Sequence, residues 1–211
     1  MPKETRTKEQ VAEFVRRWAD FPVPPEWRAG PPWAESGLEG DDADIFQVLP
    51  LIRLNEGDGG LYIDKDAVVS RDPDDPDDPD STGKQNVGIY RTQVKGRRKL
   101  AIQPGAVHDI AHHLRKAEET GEDLLVAIAL GNDPVIPIVA ATPMAYDGGE
   151  VVIEGFIEAR KRELEGLFGE FTGHCSGGRR MPVIRVDRIS HRTGLRASPS
   201  GSGCRGPRST I

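Results

Sequence analysis

Short apolar runs bounded by turn residues commit this chain to a sheet. LLVAIALG (Leu124 to Gly131) has the length and composition of a buried strand, and EVVIEGFIEAR (Glu150 to Arg160) and MPVIRVDRIS (Met181 to Ser190) read as two more. IFQVLPLIRL and LYIDKDAVVS form a strand pair across the turn NEGDGG (Asn55 to Gly60). QNVGIYRTQV and LAIQP form another across KGRRK (Lys95 to Lys99). Two stretches have helical spacing instead. TKEQVAEFVRRW places Val11, Phe14, Val15 and Trp18 on one face, with Thr7 and Gln10 as a capping box. HDIAHHLRKAEETG carries the stripe Ile110, Ala111, Leu114 and Ala117 and ends at Gly121, a C-cap. NDP then starts a turn or short helix, with Pro134 in its first turn. The expectation is a mostly β domain with a few helices, an α+β fold.

Only 36% of the 211 residues are hydrophobic, and 24 Gly and 17 Pro assign much of the chain to turns, so one modest core is expected. Residues 1–40 read as a helix followed by an extended arm, FPVPPEWRAGPPW, with Trp27 and Trp33 as anchors. Residues 41–191 hold the sheet. Residues 192–211 are Ser, Gly, Arg and Pro with little to bury, and are expected to be disordered. RDPDDPDDPD (Arg71 to Asp80) lacks the spacing of a calcium loop and reads as a solvated loop.

A net charge of -6 argues against a nucleic-acid partner, and KGRRK is most simply a solvated hairpin loop. Cys175 and Cys204 offer neither a disulfide framework nor a metal pair. MPKETRTKEQ lacks the apolar run of a signal peptide, and no segment has the length of a membrane span. A soluble, cytoplasmic protein is expected.

The candidate chemistry centres on EGLFGEFTG. Glu165 and Glu170 would face opposite ways on a continuous strand, but Gly166 and Gly169 permit bends that bring both to one pocket. Asn86 and Arg91 would share a pocket only if the strand bends near Gly88, where a planar ligand could also lie on bare backbone. His108 opens its helix and could reach a ligand there. His112 and His113 read as surface residues.

QNVGIYRTQV, HDIAHHL, LLVAIALGNDP and EVVIEGFIEARKRELEGLFGEFTG, in this order, resemble the UbiD family of non-oxidative decarboxylases, especially those acting on 4-hydroxybenzoate or vanillate. The resemblance implies a flavin-reductase-like split β-barrel and a prenylated FMN cofactor. It further implies that Asn86 and His108 hold a divalent metal, manganese with potassium as a second ion, at the cofactor phosphate. The backbone from Val87 through Gly88 and Ile89 to Tyr90 would lie along the flavin, together with Arg91 and Val107. Arg91, Glu165 and Glu170 would be the catalytic network: Glu165 fixes Arg91, Arg91 orients an aromatic carboxylic acid bidentately, and Glu170 delivers the proton that replaces CO2. Partners implied are the substrate and a second copy or a full-length homologue.

The chain departs from the family pattern in three places. Gly148 and Gly149 replace a segment that should carry a third metal ligand, Leu167 stands for a proline, and Cys175 for an aromatic residue. These departures, with the absence of family domains before and after the matched region, motivate a second reading: an inactive truncated remnant, or a non-catalytic flavin-binding or assembly module. The tail from Arg192 resembles out-of-frame translation.

Overall fold

The computed structural model describes residues 6–19, 30–75, 85–133, 135–140, 151–170 and 174–193. The expectations for most of the proline arm including Trp27, for the second half of the acidic run, for Pro134, for residues 141–150 and for the tail beyond Thr193 lie outside these residues. The chain divides into two compact units, Met1–Gly30 and Pro31–Ile211. The first holds helix α1, Thr7–Trp18, as the periodicity predicts. Its start is capped one residue earlier than expected, with the Arg6 amide donating to the Glu9 carboxylate.

The second unit is built on a nine-stranded antiparallel sheet. Its strands are β1 (Ser36–Glu39), β2 (Leu61–Ile63), β3 (Ala67–Arg71), β4 (Gln85–Gly88), β5 (Arg91–Gly96), β6 (Lys99–Gln103), β7 (Leu124–Leu130), β8 (Val151–Glu165) and β11 (Arg179–His191). Strands β9 (Phe168–Gly169) and β10 (Cys175–Ser176) form a separate two-stranded ribbon. The helices are α2 (Ile45–Val48), α3 (Asp109–Thr120) and α4 (Val135–Ala140). Within the sheet the order is β2-β5-β6-β11-β8-β7-β3-β4, with β1 paired on β11.

This order explains the curvature. β2 and β4 are its two ends, yet β2 runs into β3 through Asp64 to Asp66, and β4 runs into β5 through Ile89 and Tyr90 alone. A connection of two residues spans at most about 11 Å. The ends of the sheet must therefore approach each other, which curls it into the split β-barrel that the resemblance implies. Side chains of Ile63, Leu100, Ile102, Ile128, Ile153, Ile157, Ile184 and Ile189 fill its core, and α3 adds Ile110, Leu114 and Ala117.

Asp66 ties the two crossings together. It is 1% exposed and accepts hydrogen bonds from the Tyr90 amide (3.3 Å) and the Thr92 hydroxyl (2.9 Å). Burial raises its pKa to about 7, and these two hydrogen bonds only partly offset that. An unfolded Asp titrates near 4, so between about pH 4 and 7 the folded chain binds the extra proton. Stability from this group is present below that window and is lost as pH rises through it, by about 1.4 kcal/mol per unit of difference. In Asp66→Asn, the fall in the urea midpoint between pH 5 and 7.5 should be reduced, and an unchanged pH profile would contradict the assignment.

Several strand expectations are corrected. Ile45 to Leu54 opens with α2, because the Asp44 side chain caps it through the Phe46 amide and the Ile45 amide bonds the Arg97 carbonyl. LYIDKDAVVS and QNVGIYRTQV are each two strands on opposite ends of the sheet, broken where the barrel is crossed. The basic hairpin is present, but Arg97 and Arg98 pair with Asp44 and Asp41 rather than only with solvent. Asp72, in the acidic run, is buried and accepts hydrogen bonds from Lys116 of α3 on both carboxylate oxygens and from the Asp74 amide. His113 is buried, not on the surface, with its Nδ1 3.1 Å from the Ser70 hydroxyl, and burial lowers its pKa.

Candidate active site

Strand β5 places one face against the glutamate segment. Arg91, Gln93 and Lys95 alternate along it, so all three point the same way. Lys95 donates to the Leu164 carbonyl (2.7 Å), Gln93 accepts from the Gly166 amide (3.0 Å), and Arg91 reaches both acids. Glu165 is not in a turn but is the last residue of β8. Its pairing with β11 slips between Pro182 and Ile184, where Arg160 adopts φ 57°. That irregularity carries the end of β8 to Arg91.

The contact between Arg91 and Glu165 is bidentate: Nε to Oε1 and Nη2 to Oε2, both 2.7 Å. Glu165 is fully buried, and the Arg91 side chain is 9% exposed. Glu170 accepts from Nη1 at 3.0 Å and stays 40% exposed. The two acids share one cation and differ sharply in access to water, which suits them to different work. The Phe168 ring lies 4.8 Å from the guanidinium carbon and packs edge-on against Tyr62, adding a cation–π contact.

NEGDGG, expected to be an ordinary turn, cradles this segment. The Gly59 amide donates to the Leu167 carbonyl (2.6 Å), and Asp58, buried, accepts from the Gly169 amide (2.7 Å). The Tyr62 hydroxyl lies 3.0 and 2.9 Å from the carbonyls of Gly166 and Leu167. Burial first, and the Glu165 charge second, hold that phenol protonated as a donor. A Cβ on Gly59 would lie 2.6 Å from both Gly166 Cα and the Leu167 nitrogen, a backbone clash. Gly59→Ala should therefore push Glu170 away from Arg91 and destabilise the chain by about 1–3 kcal/mol. Wild-type denaturation midpoints in that variant would contradict the cradle.

A second cluster lies at the β4–β5 crossing. Asn86 donates to the Tyr90 hydroxyl (3.2 Å), and the Tyr90 ring is 5.5 Å from the His108 ring. His108 stands at the N-cap position of α3, and its Nδ1 accepts from the Gly105 amide (3.1 Å) rather than from the helix, a bond that a neutral ring makes with its proton on Nε2. Asn86, Tyr90 and His108 thus come together. Gly88 serves Tyr90: a Cβ there would lie 2.5 Å from the phenol oxygen. Val87 is buried in a small cluster with Ala67 and Ala140, while Ile89 and Val107 are exposed apolar neighbours of the polar residues.

These residues fit a flavin nucleotide, with exposed apolar side chains beside amide, phenol and imidazole groups able to bond a phosphate. Among the described residues no group of three His, Cys, Asp or Glu could hold an ion, and the Nδ1 of His108 is taken by the Gly105 amide.

Tyr62, Gln93, Asp58, Gly59 and Ser176 were not anticipated as site residues. The alternation Arg91-x-Gln93-x-Lys95 in the sequence signals the shared polar face. The cradle and the ribbon carry no comparable signal, because their contacts join residues more than 100 positions apart or depend on main-chain groups.

Comparison with known proteins identifies the family and the fold. The family described as UbiD, the 3-octaprenyl-4-hydroxybenzoate carboxy-lyase Rift-related domain, matches residues 26–151 and 146–198. A phenolic acid decarboxylase of Streptomyces sp. (strain D7) is 59% identical over 91% of this chain and 46% of its own length. The closed form of Sedimentibacter hydroxybenzoicus vanillic acid decarboxylase superposes with a TM-score of 0.78 at 42% identity, covering 92% of this chain and 47% of that one. An evolved dimeric form of the UbiD-class enzyme HmfF from Pelotomaculum thermopropionicum, in complex with prFMN, gives 0.68 at 28% identity, covering 85% and 47%. The chain spans about half the length of the relatives it matches. The Streptomyces alignment is 221 residues long yet covers 91% of 211, so roughly 30 of its positions stand opposite gaps here. The two family matches overlap at residues 146–151, which include Gly148 and Gly149.

Proposed function

The chain belongs to the UbiD family of carboxy-lyases, and on that premise we propose that it carries the acid–base half of a non-oxidative decarboxylase site for aromatic hydroxy acids such as 4-hydroxybenzoate or vanillate. The observation that carries this reading is Arg91 held bidentately by a buried Glu165, with the more exposed Glu170 on its other side.

Loss of CO2 from an aromatic ring leaves charge in an orbital that no side chain delocalises, and a bound prenylated flavin supplies the electron sink. The side chains do the rest. Glu165 fixes the plane of the guanidinium, and Arg91 receives the substrate carboxylate and aligns its C–C bond. Glu170, reachable from solvent, takes up a proton and delivers it to the ring carbon that CO2 leaves. Ile89 and Val107, with Asn86, Tyr90 and His108, would hold the flavin, the first two along its rings and the others at its phosphate.

Co-expression with a prenyl-FMN synthase tests the proposal. Bound flavin absorbance and CO2 release from 4-hydroxybenzoate are expected, and the absence of bound flavin would overturn the enzyme reading. The second reading, a flavin-binding or assembly module without turnover, is favoured by the break between the two family matches at residues 146–151 and predicts bound flavin without CO2.

A further inference from the structure

Arg91 has little left to offer a carboxylate as it stands. Of the five N–H groups on a guanidinium, Nε and one on Nη2 go to Glu165, and both on Nη1 have acceptors, Glu170 at 3.0 Å and the Ser176 hydroxyl at 2.6 Å. Among the described residues this leaves a single N–H, on Nη2. Bidentate binding of a carboxylate needs two.

We propose that Ser176 is an affinity-determining residue: its hydroxyl occupies the place on Arg91 that the substrate carboxylate takes. The inference rests on the reading of Arg91 as the carboxylate anchor. Ser176 is the acceptor that can leave. It is neutral, so an anion arriving in its place adds the attraction of opposite charges to the hydrogen bond from the guanidinium. The hydroxyl also has a second partner, the Phe168 carbonyl at 3.3 Å, to which it donates with or without Arg91. It sits on a ribbon only two residues wide on each strand, where Ser176 faces Phe168. Displacing Glu170 instead would remove the proton donor from the site.

Titration of the full chain with 4-hydroxybenzoate, followed by calorimetry, tests this. Ser176→Ala removes the competing acceptor and should bind the acid more tightly, by up to roughly ten- to a hundredfold, the worth of one hydrogen bond to a charged group. Ser176→Thr keeps the hydroxyl and should stay near the wild type. A hydroxyl that merely supports Arg91 gives the opposite sign, since its loss weakens binding. Arg91-dependent binding that is unchanged or weakened in Ser176→Ala overturns the proposal alone. Binding that survives Arg91→Met overturns the anchor reading as well. Absence of binding in both the wild type and Ser176→Ala also overturns the proposal, because freeing the N–H then opens nothing.

Discussion

Arg91→Met should destabilise the chain by about 3–5 kcal/mol, the usual result of stripping one partner from a buried ion pair. Glu165 is fully buried and its two oxygens take their charge-assisted bonds from Arg91. Without the guanidinium its carboxylate must either remain charged in a poor solvent or take up a proton, and both cost free energy. The single variant leaves Lys95 and Gln93 holding Leu164 and Gly166, so the loss reports on the ion pair rather than on the whole segment. The double variant Arg91→Met/Glu165→Leu removes both charges and should recover most of the loss while remaining inactive, because a buried pair contributes little net stability over apolar residues of similar size. Urea denaturation of the wild type, the single and the double variant measures this. A single variant as stable as the wild type would mean that Glu165 is not held as described.

The barrel was legible because its strands announce themselves by composition and by bounding turns. LLVAIALG became β7, which ends one residue before Gly131, and EVVIEGFIEAR and MPVIRVDRIS became the longer strands β8 and β11. What local pattern could not show was where a run crosses the barrel. QNVGIYRTQV looks continuous, yet Gly88 and Arg91 belong to strands at different places in the sheet order, since Tyr90 turns inward to bond Asp66. Ile45 to Leu54 looked like a strand because its apolar residues say nothing of the Asp44 cap. The three network residues were legible by resemblance, and their meeting is geometric: Arg91 lies within hydrogen-bond distance of both glutamates. Ser176 and the Asn55 to Gly60 cradle were not legible, because main-chain and hydroxyl contacts leave no spacing in a sequence.

Glu170 carries the largest expected effect on chemistry. General acid catalysis of this kind contributes about 10²–10⁴-fold, and glutamine keeps the shape and the contact to Arg91 while removing the transferable proton. Glu170 is at the surface end of the network, bonded to Arg91 and through its amide to the His174 carbonyl, so the variant should fold and load flavin like the wild type. The most direct measurement is CO2 release from 4-hydroxybenzoate by flavin-loaded chain, with the wild type and Glu170→Gln compared at equal flavin occupancy. The account predicts release by the wild type and a fall of about 10²–10⁴-fold in the variant. Equal release by both, or none from a fully loaded wild type, would contradict it.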